Sequence, residues 1–158
     1  MFSTSEPNEP DRLILFDIDG TLTRTENGYL PFNEALCRTF GVAADIRTVV
    51  PDGNTDPLIV KEIFTRANFA IEIGDQEWQR FTDNLRASYQ QHVERGLTKV
   101  QALPGALELL RALAGHGAFD ASVVTGNFEV TAQVKLQAAE LHFRSEERRV
   151  GKECRSRW

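Results

Sequence analysis

Two carboxylates, Asp17 and Asp19, have the types and spacing best suited to a ligand-binding or catalytic site in this sequence. They follow an unbroken apolar run at 13–16, and such a run bounded by turn residues is typical of a buried strand in a parallel sheet. Ligands and catalytic groups of open α/β sheets lie just beyond the carboxyl ends of these strands. Because Gly20 allows the chain to turn there, we expect both carboxylates to reach one crevice.

Two simpler interpretations of this Asp-x-Asp-Gly pattern are a solvated loop and half of a calcium loop. The calcium loop is excluded, because residues 21–29 do not continue the alternating oxygen ligands or supply the closing Glu. A solvated loop explains a single Asp-Gly better than it explains the whole string. The string Asp17-Ile18-Asp19-Gly20-Thr21-Leu22 resembles the first motif of the haloacid dehalogenase-like hydrolases, most of which are magnesium-dependent phosphatases. The resemblance implies that Asp17 is the nucleophile, that Asp19 is the general acid and base, and that both help to bind Mg²⁺.

A second polar turn, Thr125-Gly126-Asn127, follows a short apolar stretch that predicts another strand. A threonine hydroxyl can donate to a phosphate oxygen, a glycine lets the backbone approach it, and the amides that start a helix point at anions. Alone, Thr-Gly-Asn is a common turn. After a strand, it resembles the second motif of the same family, which predicts a phosphate-binding role for all three residues.

Lys135 is the one lysine between this turn and residue 144. The resemblance implies a third motif, a cation that neutralises the phosphorylated Asp, although the family's usual position lies further downstream. Lys135 is therefore either that cation or a solvated helix residue. The family's fourth motif, an acidic group that completes the magnesium site, is not found between 127 and 143.

The segment 25–98 is predicted to be a small helical unit inserted between two parts of the core, 13–24 and 99–143. Apolar residues at three- and four-residue steps predict helices at 31–41, from about 57, and from about 75 to 95. The last two helices are amphipathic and are expected to pack on each other. The resemblance implies that this insert is a cap that closes over the active site and selects the substrate.

One loop of the predicted cap, at 53–56, resembles a Gly-x-Thr-Asp loop of phosphoglycolate phosphatase-like members of the family. Thr55 and Asp56 are therefore candidate substrate contacts. The alternative is a turn that caps the helix beginning at Pro57, because Thr and Asp are preferred at such positions. One residue can serve both purposes.

The order strand, helix, strand with short connections, at 13–17, 103–115 and 121–127, is typical of a right-handed parallel unit. The predicted fold class is α/β, a partial Rossmann-like parallel sheet with an inserted α-helical cap. The resemblance extends over about 13–143, roughly the first two thirds of such an enzyme. We therefore expect an unpaired sheet edge and an exposed apolar sheet surface.

The composition excludes several other classes of protein. The chain has 158 residues and a net charge of −5, which argues against a general nucleic-acid binder, and no apolar run is long enough to cross a bilayer. Residues 1–12 are polar and unlike a signal peptide, which predicts a disordered lead and a cytoplasmic protein. Residues 144–158 carry six basic and three acidic residues and resemble a translated sequencing adapter, so we interpret them as a non-native tail. Cys37 is expected to be a small buried hydrophobe.

The resemblance implies a magnesium-dependent phosphatase that acts on a small phosphate ester, such as phosphoglycolate, through an aspartyl phosphate. Because the fourth motif is not found, this chain is expected to bind Mg²⁺ weakly and to turn over little or not at all. A phosphomutase of the same fold, and a non-catalytic binding module that uses the same crevice, remain alternatives. The oligomeric state is left open.

Overall fold

The computed structural model describes residues 12–51, 53–69, 72–116 and 118–143. The predicted tail and all of the predicted lead except Arg12 lie outside these residues. Arg12 itself is the first residue of a strand rather than the end of a disordered lead. The described elements, in chain order, are β1 (Arg12–Phe16), β2 (Thr23–Glu26), α1 (Tyr29–Phe40), α2 (Asp56–Arg66), α3 (Asp75–Glu94), β3 (Lys99–Ala102), α4 (Ala106–Ala114), β4 (Phe119–Val123) and α5 (Glu129–Ala138), with a short 3₁₀ helix at Ile46–Thr48.

The central pair of strands is parallel, as the sequence predicts. β1 pairs with β4 so that Phe16 lies opposite Val123, and the Val124 N–H donates to the Phe16 carbonyl over 2.9 Å. Parallel neighbours finish at the same edge of a sheet. Asp17 and Thr125, which come just after these two strands, therefore leave the sheet side by side.

The two faces of β1 have different surroundings, because successive side chains of a strand point to opposite faces. Ile14 and Phe16 pack in an apolar cluster with Leu110 of α4. Leu13 and Leu15, on the other face, are 63% and 54% exposed. The prediction that this strand is fully buried is therefore wrong, whereas the exposed apolar sheet surface that the sequence predicts is present.

A two-stranded antiparallel ribbon that was not predicted from the sequence joins 23–26 to 99–102. β2 pairs with β3, with Thr23 opposite Ala102 and Glu26 opposite Lys99. The strand was overlooked because its residues are polar, yet threonine alternates in it with charged side chains, and β-branched residues favour strands. The ribbon brings the two ends of the helical segment 25–98 next to each other.

The helices of that segment share one apolar cluster, but α2 and α3 do not pack on each other as predicted. α3 packs mainly on α1 and α5. Phe40 of α1 lies between the two predicted partners, with its ring centroid 5.0 Å from that of Phe64 and 5.7 Å from that of Phe81. Leu58 of α2 is 49% exposed, and Cys37 is exposed rather than buried as predicted.

Candidate active site

The chain turns sharply after β1, and this turn separates the two carboxylates from the core. Ile18 is fully buried, and its carbonyl accepts the N–H groups of Leu22 and Thr23 over 3.0 and 2.8 Å. Gly20 adopts a φ of +80°, which a glycine tolerates and other residues disfavour. Because Ile18 faces inward, Asp17 and Asp19 on either side of it are exposed.

Asp17 has a free carboxylate. Its side chain makes no hydrogen bond or ion pair with any residue in the described part of the chain. It lines an open crevice of about 790 Å³ together with Asp19, Thr125, Asn127 and Lys135. The structure thus brings the predicted catalytic and phosphate-binding residues into one crevice, where the oxygens of Asp17 are available to a ligand.

Lys135 lies inside this crevice and not in solvent. Its Nζ donates to both carboxylate oxygens of Asp19, over 2.9 and 2.7 Å, and to Oδ1 of Asn127 over 2.7 Å. Its side chain is almost fully buried. Lys135 lies four residues after the buried Thr131, so the two share a helix face. The alternative of a solvated helix residue is therefore wrong.

Asn127 connects the other polar groups of the crevice. Its Nδ2 donates to Oδ2 of Asp19 and to Oγ1 of Thr125, both over 2.7 Å. Its backbone N–H donates to the same Thr125 oxygen over 3.2 Å. Because the Thr125 hydroxyl accepts these bonds, its own proton remains available for donation to an anion.

Asp56 lies in the crevice wall but is bound to α5. Its N–H donates to the Gly126 carbonyl over 2.7 Å, and its Oδ2 accepts the Phe128 N–H over 2.8 Å and the Thr131 hydroxyl over 3.4 Å. Burial raises the pKa of Asp56 from 3.8 to about 6, although the Phe128 N–H and the charge of Lys135 oppose the rise.

Thr55 occupies the N-cap position of α2 and makes no side-chain capping bond. It is exposed and is not among the residues that line the crevice. Thr55 therefore holds the N-cap position that the capping alternative predicts, but without its side-chain bond, and the carboxylate of Asp56 caps α5 instead.

Gly126 is needed for contact with the loop that precedes α2. A Cβ at this position would lie 2.5 Å from the carbonyl oxygen of Asn54 and 3.3 Å from Cα of Thr55. From the sequence, this glycine is expected to let the backbone approach a phosphate. The structure gives it a second partner, the backbone at 54–55.

Two residues that line the crevice, Arg47 and Tyr89, were not predicted from the sequence to lie there. Arg47 lines it, pairs with Asp45 over 2.7 Å and stacks on the Tyr29 ring at 4.2 Å from the centroid. Tyr89 of α3 lines it too, and burial raises the pKa of its hydroxyl, which donates to the Gly28 carbonyl. An exposed arginine in a single 3₁₀ turn carries no periodic signal, so only the tertiary structure reveals Arg47.

The carboxylates suit a hard cation only in part. Mg²⁺ prefers oxygen ligands and is commonly held by one or two carboxylates, substrate phosphates and water. Asp17 and Asp19 supply such oxygens, but both oxygens of Asp19 already accept from Lys135. The described residues contain no group of three or more His, Cys, Asp or Glu side chains that could hold a metal. The carboxylate oxygens of Asp17 and Asp19 are of the donor type that Mg²⁺ prefers.

A comparison with known protein families agrees with the resemblance seen in the sequence motifs. A family model described as haloacid dehalogenase-like hydrolase matches residues 12–153. The match runs past residue 143 into the segment interpreted as non-native, and that interpretation stays a prediction. No curated protein matches the chain significantly. None of the described helices has the length and apolar character that a membrane span requires.

The solved structures that are similar to the chain include the following two. A hydrolase from Pseudomonas syringae is 26% identical with a TM-score of 0.52, and the match covers 84% of this chain and 56% of that one. A protein described as a predicted phosphoglycolate phosphatase, from Haemophilus somnus 129pt, is 21% identical with a TM-score of 0.50, covering 83% and 58%. The second likeness concerns the fold alone. This chain spans a little over half the length of both proteins.

Proposed function

Because the chain belongs to the haloacid dehalogenase-like hydrolases, we propose that its crevice serves to hydrolyse a small phosphate ester through an aspartyl phosphate formed on Asp17. One observation carries this proposal. The free carboxylate of Asp17 lies at the end of β1, in the same crevice as the hydroxyl, amide and ammonium groups of Thr125, Asn127 and Lys135. A nucleophile beside a cluster of donors is the arrangement that phosphoryl transfer requires.

In the first step, a carboxylate oxygen of Asp17 attacks phosphorus in line with the ester oxygen. The P–O bond to the alcohol breaks as the bond to Asp17 forms. Asp19 gives a proton to the departing alcohol and later takes one from the water that hydrolyses the aspartyl phosphate. Lys135 has to turn from Asp19 to bind the phosphate, because its Nζ donates to both oxygens of that carboxylate.

The phosphoryl group is held by donors that the crevice already brings together. Thr125 offers its hydroxyl proton, whereas the Asn127 amide and the Lys135 ammonium group turn to the phosphate from Asp19, to which both now donate. Once turned, such donors stabilise developing negative charge more strongly than water does. Positioning and charge, rather than covalent chemistry by these residues, would account for most of their effect.

Asp17 and Asp19 are the residues that would hold Mg²⁺. When bound, the cation offsets the repulsion between the Asp17 carboxylate and the phosphoryl oxygens. We expect weak Mg²⁺ binding and low turnover by this chain, because one of these two carboxylates is already paired with Lys135.

The helical unit formed by α1, α2 and α3 is the proposed cap, and the substrate is a small ester of the phosphoglycolate type. The likeness to the Haemophilus somnus protein, described as a predicted phosphoglycolate phosphatase, agrees with this assignment at the level of fold. A crevice of about 790 Å³ lined by both parts of the chain suits a small metabolite.

A non-catalytic binding module is the second candidate, and the Asp19–Lys135 pair favours it. Both carboxylate oxygens of Asp19 already accept hydrogen bonds from Lys135, so in this arrangement Asp19 is not free to contact a leaving group. Such a module would bind phosphate without forming a covalent bond to Asp17.

The deciding experiment is to incubate the chain with a panel of small phosphate esters and Mg²⁺, and to search for a phosphoryl group on Asp17 by mass spectrometry after acid quenching. Asp17→Asn is the matched control, because the side chain is exposed and has no partner in the described residues, so the fold should be retained. Labelling in the wild type that Asp17→Asn abolishes supports the proposal. Phosphate release that persists in Asp17→Asn would overturn it, and phosphate binding without labelling would support the binding module.

A further inference from the structure

Asp56 binds the chain on both sides of Asn127. Its N–H donates to the carbonyl of Gly126, and its carboxylate accepts the N–H of Phe128. Asn127 is the residue between these two anchored positions. The backbone N–H and the carboxylate of Asp56 therefore restrain the stretch of backbone that carries the Asn127 side chain.

The carboxylate of Asp56 also supplies a hydrogen-bond acceptor at the start of α5. Phe128 is the N-cap residue of α5 and provides no side-chain capping bond. The first N–H groups of a helix have no intrahelical acceptor, and an anion near them is favourable. Asp56, 72 positions earlier in the chain, satisfies the Phe128 N–H and contacts Thr131 in the first turn.

Lys135 lies one turn beyond Thr131 on the same face of α5. The start of α5 is therefore held by Asp56, and the Lys135 ammonium group is carried on the same short helix. Gly126, which lacks a Cβ, allows the loop before α2 to approach closely enough for these bonds to form.

The geometry points to Asp56 as a positioning residue: it fixes Asn127 and the start of α5, and so sets the donors that hold the phosphate. This inference rests on the proposed function, and it differs from the predicted role of Asp56 as a substrate contact. The carboxylate acts through Phe128 and Asn127, because its oxygen is directed to α5.

The test uses two measurements on the full chain, the NMR resonances of the Asn127 side-chain amide and the affinity for inorganic phosphate. We expect Asp56→Ala to shift the Asn127 resonances and to weaken phosphate binding by about tenfold, the effect of losing one well-placed hydrogen bond. Asp56→Asn retains an acceptor for the Phe128 N–H and should stay within about threefold of the wild type, because the bond matters more than the charge. Glu129→Ala, which removes an exposed acidic residue of the same first turn, is the matched control and should change neither measurement.

The two measurements separate failure of this inference from failure of the proposed function. An Asn127 amide that does not shift in Asp56→Ala would overturn the positioning role, whether or not phosphate binds. If the wild type binds no phosphate but the amide shifts, the proposed function fails and the positioning role stands. Should Asp56→Ala not fold, Asp56→Glu replaces it, because the extra methylene displaces the acceptor while keeping the charge. The inference predicts that the Asn127 resonances of Asp56→Glu differ from those of Asp56→Asn, which keeps the acceptor in place. Identical Asn127 resonances in the two variants would contradict the inference.

Discussion

Lys135 donates to both carboxylate oxygens of Asp19, although 116 positions separate the two residues in the chain. The side chain of Lys135 is 7% exposed and that of Asp19 is 43% exposed. The lysine is thus fixed within the protein, whereas the carboxylate can turn towards solvent. Asp19 therefore occupies the cation that a phosphate would need under the proposed function, and such a phosphate would have to displace it.

Substitutions at these two positions should change phosphate affinity in opposite directions. Asp19→Asn removes the competing negative charge, so we expect inorganic phosphate to bind about tenfold more tightly, while ester hydrolysis is lost. Lys135→Met removes the cation, and we expect affinity to fall by about tenfold or more. Isothermal titration calorimetry at low ionic strength measures both effects.

Asp17→Asn is the control for this pair, because it removes a negative charge from the crevice without freeing Lys135. Its effect on phosphate affinity should be smaller than that of Asp19→Asn, since the Lys135 pair remains. Equal gains in the two variants would show that general charge repulsion, and not competition for Lys135, limits binding.

The sequence predicts those residues of the candidate site that belong to short, continuous motifs. The string from Asp17 to Leu22 and the turn at Thr125 each follow an apolar run, and parallel strands end at one edge, so their meeting follows from sheet geometry. Lys135 could not be assigned in this way, because helical periodicity gives a face but does not show what that face packs against. The role of Asp56 depends on contacts with Gly126 and Phe128, far away in sequence, and only the folded chain reveals it.

The exposed leucines of β1 should make the chain prone to association. Leu13 and Leu15 present adjacent apolar side chains on one sheet face, and exposed apolar patches promote aggregation. We expect the Leu13→Lys, Leu15→Lys double variant to stay monomeric at concentrations at which the wild type associates. Light scattering measures this. Ile14→Lys is the contrasting change, because Ile14 packs in the apolar cluster and its replacement should unfold the chain instead.

The raised pKa of Asp56 should make stability depend on pH in an unusual direction. Its pKa is about 6 in the folded chain and near its ordinary 3.8 when the chain is unfolded, so between these values the folded state holds a proton that the unfolded state lacks. The contribution to the free energy of unfolding is therefore present below about pH 4 and is lost as the pH rises to about 6, by roughly 1–3 kcal/mol. Urea denaturation of the wild type and Asp56→Asn from pH 4 to 7 isolates this group. A difference between the two proteins that does not change with pH would contradict the assignment.

Gly126→Ala tests the close contact between the loop before α2 and the turn after β4. The added Cβ would lie 2.5 Å from the Asn54 carbonyl oxygen, which belongs to the backbone and cannot rotate away. The loop must shift, so the bond from the Asp56 N–H to the Gly126 carbonyl should lengthen, and we expect a loss of about 1–3 kcal/mol in stability. Thermal or urea denaturation measures the loss.

Gly115→Ala is the appropriate control for that variant. Gly115 ends α4 with a φ of −84°, and a Cβ there would make only ordinary contacts of 3.6 and 3.7 Å with backbone oxygens. Its replacement should be neutral or slightly stabilising, because alanine lowers the conformational entropy of the unfolded chain. If Gly126→Ala were equally harmless, the loop would have room that the 2.5 Å approach excludes. The contact between Asp56 and α5 would then not depend on a glycine at 126.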